Sequence, residues 1–160
     1  METQQLPRNV RNCNPLNIRR TRDRWQGMEK EQKDKAFCQF KEMKYGWRAA
    51  FILLCRNYYH RDHLLTIRQI ISKWAPASEN DTQRYAATVA IWMDWHIDYA
   101  LPHPASDNAT WMKLALMMAC YEAGIRPSSQ QQRELFPMLP LVEGWMMYEE
   151  VAGKGKFGVV

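Results

Sequence analysis

The stretch Thr66–Val89, TIRQIISKWAPASENDTQRYAATV, decides the fold, because nearly every position in it has an identifiable physical role. Ile67, Ile70, Ile71 and Trp74 recur at helical spacing and form one apolar stripe on a short helix. Pro76 stops that helix: its ring removes a backbone donor and pushes Ala75 out of the α region. Ser78, Asn80 and Asp81 are N-cap candidates for a second helix, with Tyr85, Val89, Trp92 and His96 continuing its stripe. The expected product is a helix-proline-cap-helix corner that gathers Trp74, Glu79 and Tyr85.

Working outward, Trp47, Ala50, Phe51, Leu54 and Tyr58 fall at spacings of three and four and predict a buried helix from Tyr45 to about Tyr59. Downstream, Asp107 caps a helix with the stripe Trp111, Leu114, Ala115, Met118 and Tyr121, ending at Gly124 with Pro127 beyond. Ser128 opens a short polar helix closed by Pro137, and Leu141–Val151 carries Trp145, Met146 and Tyr148. Methionine and tryptophan at helical spacing ordinarily form core; an exposed patch of them would mark a partner surface. Upstream, RNCNPLNIRR (Arg11–Arg20) reads as an Asn-Pro turn with an extended exit, and the aromatic run Ala36–Phe40 as a strand pairing with the Ile18 region in a small hairpin.

The expected class is therefore mainly α with a small β element (α+β). Met1–Val10 reads as a flexible N-terminus, 11–152 as one globular domain, and 153–160 as a flexible tail. At 160 residues such a domain buries roughly 70% of its unfolded surface. The four cysteines include no C-x-x-C pair and suit buried thiols in a reducing compartment, and His60 and His63 lack further ligands at fixed spacing, so neither a metal nor a cofactor is expected. No apolar run is long enough to span a bilayer, and the polar N-terminus lacks the apolar core of a secretory signal. The expectation is synthesis in the cytoplasm without a signal peptide.

Charge is uneven. Met1–Ala75 holds sixteen Lys and Arg against seven Asp and Glu, whereas the remainder is net acidic; the whole chain is +5. A basic lobe suits an anionic polymer such as the bacterial wall or nucleic acid, although scattered surface charge is more often a solvated face. Nucleotide-binding glycine loops, HExxH and GxSxG are all missing from the sequence, which leaves carboxylates, asparagines and aromatics to carry any chemistry.

Several segments taken together resemble a set of small phage and prophage proteins usually labelled virion structural proteins. The matching residues are Arg11, Asn12, Asn14, Pro15, Asn17, Ile18 and Arg19; then Trp25 and Gly27; then Phe37, Phe40, Gly46, Arg48 and Ala49. The match closes on Thr66, Ile67, Ile70, Ile71, Trp74, Ala75, Pro76, Glu79, Asn80, Thr82, Tyr85 and Val89. It spans about residues 11 to 90, with Leu16 in place of a common glycine and Trp47 in place of an aliphatic residue. The order of elements is also similar to that of bacterial glucosaminidases and other lysozyme-like hydrolases. In those enzymes a glutamate acid lies on a helix upstream of the Asn-rich turn, where this chain has only Glu2.

What the resemblance implies is a lysozyme-like helical domain acting on peptidoglycan, as a glycan-strand binder or as a glycoside hydrolase or lytic transglycosylase, associated with a virion or released to the wall. Glu79, flanked by Trp74 and Tyr85, is the candidate general acid; a first-turn carboxylate favoured by the helix dipole explains it equally well. Glu29 or Glu31 is the runner-up. Asn14, Asn17, Arg19, Trp25, Trp74, Asn80 and Tyr85 are the candidate substrate-binding residues. The alternatives are a non-catalytic virion component with other virion proteins as partners, and, ranked third, a nucleic-acid binder using Arg8, Arg11, Arg19, Arg20, Arg22 and Arg24 with Trp25 stacking.

Overall fold

The computed structural model describes residues 5–76 and 81–153. Its helices are α1 (Arg8–Arg11), α2 (Met43–Phe51), a π-helical continuation of α2 (Ile52–Arg61), α3 (Ile67–Trp74), α4 (Thr82–Met93), α5 (Asn108–Ala123), α6 (Gln130–Leu135) and α7 (Met138–Gly153). The mainly helical expectation holds. α2 packs along α7, α3 along α4, and α4 and α1 each against α5.

The core begins with the α2 stripe. Trp47 and Phe51 are buried, and Phe51 meets Trp145 and Tyr148 of α7, edge to face with Trp145 at 4.9 Å between ring centroids. Phe136, just after α6, closes this cluster against Trp47 at 6.0 Å. Aromatic pairs of this geometry add about 0.5–1.5 kcal/mol each beyond the burial of their area. Two helices reach this separation because Gly144 has no side chain: a Cβ there would run into Cβ of Trp47 and lie 2.9 Å from the carbonyl oxygen of Lys44. The Trp- and Met-rich second half is thus largely core, through Trp111, Met117, Met118, Trp145 and Tyr148.

Helix ends follow local chemistry. Thr66 caps α3 reciprocally with Gln69: the Thr66 hydroxyl accepts from the Gln69 amide at 3.1 Å, and the Gln69 side chain accepts from the Thr66 amide at 3.2 Å. α3 ends at Trp74, with Ala75 extended ahead of Pro76. Asp81 occupies the N-cap of α4 with φ +45 and no side-chain cap bond, while the Thr82 hydroxyl donates to the Ala75 carbonyl and joins the two helices. α4 stops at Met93 because Asp94 turns left-handed at φ +53, so His96 falls beyond the stripe proposed for it. Asp107 caps α5 and Gly124 ends it at φ +70, both as expected; Ser129 rather than Ser128 caps α6.

The N-terminal part departs from expectation. The predicted hairpin does not form: among the described residues there is no strand, and only two isolated antiparallel bridges occur, Arg19 with Phe37 and Met28 with Phe40. The run 36–41 lies between two partners, Cys38 donating to the Ile18 carbonyl and Lys41 to that of Gly27, at 2.9 and 2.8 Å. Side chains take the backbone groups that a ladder would have used. Asp34 accepts from the amides of Ala36 and Phe37, Gln39 from those of Lys33 and Asp34, and Gln32 from that of Gln39. Such local side-chain bonds compete directly with sheet pairing. α1 meanwhile carries Asn9 into the core, so the packed part of the chain begins before Arg11.

Candidate functional site: an aromatic groove

The Asn-rich turn is built by its own amides. Asn9 donates to the carbonyls of Pro15 and Ala119, and Asn14 donates to those of Ile18 and Cys38 while accepting from the Ile18 amide at 2.9 Å. Asn12 and Asp34 extend the same network, the Asp34 carboxylate being gripped in a fork by Arg8 at 2.7 and 2.6 Å. The Arg8 guanidinium holds the Asp34 carboxyl far below the usual carboxylate range. Gly46 lets α2 sit directly on this turn, where a Cβ would meet the Cys13 carbonyl. What leaves the turn is Asn17, left-handed at φ +54, followed by Ile18 and Arg19.

These three residues form one wall of a groove of about 220 Å³. Thr21, Asp23 and Trp25 continue it, the segment being tightened by the Asp23 amide donating to the Thr21 hydroxyl. Trp74, at the end of α3, and Leu53 and Tyr58, on the π-helical segment, complete the lining. The π geometry matters here. Its bonds run from i to i+5, so residues five apart project to one side, whereas in an α-helix Leu53 and Tyr58 would be about 140° apart.

Tyr58 meets Trp74 edge to face at 5.9 Å, and the Lys73 ammonium lies 5.2 Å from the centre of the Tyr58 ring while pairing with Asp62 at 2.9 Å. Burial, and then the Asp62 charge, push the Tyr58 hydroxyl up to about 12, so it is a neutral donor at physiological pH. Arg19 is drawn toward the Phe37 ring, its guanidinium 5.2 Å from the ring centre, with Arg8 at 4.6 Å from the same ring. The groove thus brings aromatic faces together with amide, hydroxyl, guanidinium and carboxylate groups.

Of the candidate binding residues, Asn17, Arg19, Trp25 and Trp74 come together in this groove. Asn14 and Tyr85 do not: Asn14 is fully buried within the turn, and Tyr85 is a buried residue of α4 stacked on Tyr121 at 4.0 Å. Glu79 and Asn80 lie outside the described residues. Glu29 and Glu31 stand apart from the groove, beside Lys30 and Lys33 in a charged surface dip.

Sequence reasoning missed Tyr58 as a groove residue, having placed it in an α-helical core stripe, and missed Asp23 within a charged run. It also missed Glu122. From the last turn of α5, the Glu122 carboxylate accepts from the Asn17 amide at 2.8 Å and from the Tyr85 hydroxyl at 2.9 Å. Burial, and then the Glu122 charge, push the Tyr85 phenol well above its ordinary range, which keeps that hydroxyl a donor. The only signal in the sequence was an acidic residue at a helix C-terminus, where the dipole disfavours it.

Among the described residues no helix is long and apolar enough to cross a membrane. No protein-family model matches the chain. The chain is 41% identical over 86 residues to Protein P5 of Pseudoalteromonas phage PM2, an alignment covering 52% of this chain and 53% of the phage protein. The chain thus spans about half the length of the curated relative it matches, and over that half it is homologous to a phage protein.

Proposed function

We propose that the chain is a phage- or mobile-element-type, lysozyme-like protein that acts on peptidoglycan by holding a glycan strand in the aromatic groove. The observation that carries this reading is the meeting of Trp25, Trp74 and Tyr58 with Asn17, Arg19, Thr21 and Asp23. Sugar rings present apolar C–H faces and equatorial polar groups, and a groove lined by both aromatic planes and mixed donors and acceptors matches both. At about 220 Å³ the groove is smaller than a site that encloses a drug-sized ligand, and suits part of a polymer passing through. Cleavage there needs a proton donor beside the glycosidic oxygen, the role assigned to Glu79.

A second reading, a non-catalytic virion component, is favoured by the phage relative and by the exposed apolar side chains Met138, Leu139 and Met146 on α7. Co-sedimentation with purified sacculi and, separately, retention on DNA, each at low and high salt, tests the two against each other and against nucleic-acid binding. The groove reading expects sedimentation with sacculi that largely survives salt, because stacking is not screened. Retention on DNA alone, falling steeply with salt, would replace it with the nucleic-acid reading. Binding to neither would leave the virion component.

A further inference from the structure

Trp25, Tyr58 and Trp74 line the groove, and each carries a polar tip as well as a ring. An indole N–H can only donate, and a neutral phenol has one hydrogen to give. Elsewhere in the molecule such tips find acceptors. The Trp111 indole donates to the Pro102 carbonyl at 2.8 Å, that of Trp95 to the Tyr99 carbonyl at 3.2 Å, and the Tyr85 hydroxyl to Glu122 at 2.9 Å. In the groove they do not: among the described residues, neither indole nor the Tyr58 hydroxyl has a protein acceptor.

These donors are open to solvent rather than sealed in. Trp25, Tyr58 and Trp74 are each half-buried at the groove, whereas the unpartnered indole nitrogens of Trp47 and Trp145 are shielded inside the core. Tyr58 is also held in place, edge to face with Trp74 at 5.9 Å and with the Lys73 ammonium 5.2 Å from its ring centre. Burial keeps its proton on through physiological pH.

A set of held donors without protein acceptors favours a ligand rich in groups that only accept. A sugar hydroxyl donates as readily as it accepts. An acetamido carbonyl only accepts, and its methyl group brings apolar surface that suits an indole face beside the donor. A protonated amino group has the opposite character, only donating, and meets the positive charge of Lys73 on the same side of the groove.

We propose that the groove reads the N-acetyl groups of its glycan, the Tyr58 hydroxyl donating to an acetamido carbonyl whose methyl packs on Trp74. The proposal rests on the glycan reading above and adds to it the substituent recognised, with Tyr58 as the specificity-determining residue.

The test is calorimetric titration of wild type and Tyr58→Phe with two neutral tetrasaccharides of the same β-1,4 backbone, N-acetylglucosamine tetramer and glucose tetramer. Sedimentation of both proteins with purified sacculi and their melting curves accompany it. The expected result is that wild type binds the N-acetylated tetramer roughly tenfold more tightly than the glucose tetramer. Tyr58→Phe, melting as wild type does, should lose about 2- to 13-fold for the N-acetylated tetramer and nothing for the glucose tetramer. Equal binding of the two tetramers by wild type overturns the proposal, and so does a variant that weakens both alike, since the hydroxyl then supports the groove without reading the substituent. Wild type that sediments with sacculi but fails to discriminate sinks this proposal alone, whereas wild type that binds neither sacculi nor tetramers sinks the glycan reading and the proposal with it.

Discussion

Tyr58 and Trp74 meet edge to face at 5.9 Å between ring centroids, one from the π-helical segment and the other from the last position of α3. Each ring supports the other, and together they make the apolar wall of the groove. Their relationship depends on two irregularities, the i to i+5 register that turns Tyr58 toward the groove and Pro76, two residues beyond Trp74, which ends α3.

Replacing Tyr58 with leucine keeps apolar bulk but removes the ring and its hydroxyl. Aromatic contacts of this kind are worth about 0.5–1.5 kcal/mol, so sacculus affinity should fall roughly 2- to 13-fold. Sedimentation isotherms of Tyr58→Leu and wild type check this, with circular dichroism showing the helical content unchanged.

Asp34 joins α1 to the loop that precedes the Phe37 segment. Its carboxyl is held below the usual range in the folded state by Arg8 first, then by Asn12 and the amides of Phe37 and Ala36. A depressed folded value means that the stabilisation is complete above the unfolded carboxylate pKa of about 3.9 and is lost as pH falls from there toward the folded value. Asp62, lowered to about 2 by Arg61 and then Lys73, acts in the same direction. Asp34→Asn should lower stability at pH 7 by on the order of 1 kcal/mol, a modest figure because Arg8 is half exposed. It should also flatten, without abolishing, the acid side of the melting temperature against pH.

Gly144→Ala should wedge α7 away from α2, since the new methyl meets Trp47 and the Lys44 carbonyl. A loss of about 1–3 kcal/mol is expected from overpacking, read by urea denaturation. Gly124→Ala is the comparison. Nothing lies within contact distance of a Cβ there, so its cost comes only from the left-handed backbone at φ +70.

Where periodicity and capping agreed, the sequence was readable. α5 runs from the Asp107 cap to Gly124 because its apolar residues, its cap and its terminating glycine all specify the same helix. The break at Pro76 and the buried α2 stripe were legible for the same reason. The N-terminal hairpin was not, because a run such as AFCQF carries strand propensity whether or not side chains like Asp34 and Gln39 take its backbone bonds. Half of the groove was visible as aromatic and polar residues in the turn and at Trp74. The rest depended on a π register that follows no 3.6 period, and on Glu122, which reaches Asn17 across 105 positions and only through the packing of α5 on α1.

The most direct test of the central claim is calorimetric titration of wild type and the Trp25→Ala, Trp74→Ala double variant with soluble glycan strands prepared from purified peptidoglycan by amidase digestion. The account predicts saturable binding by wild type and loss of that binding in a double variant that still melts cooperatively. Equal binding by the two proteins, or no binding by wild type, would contradict it.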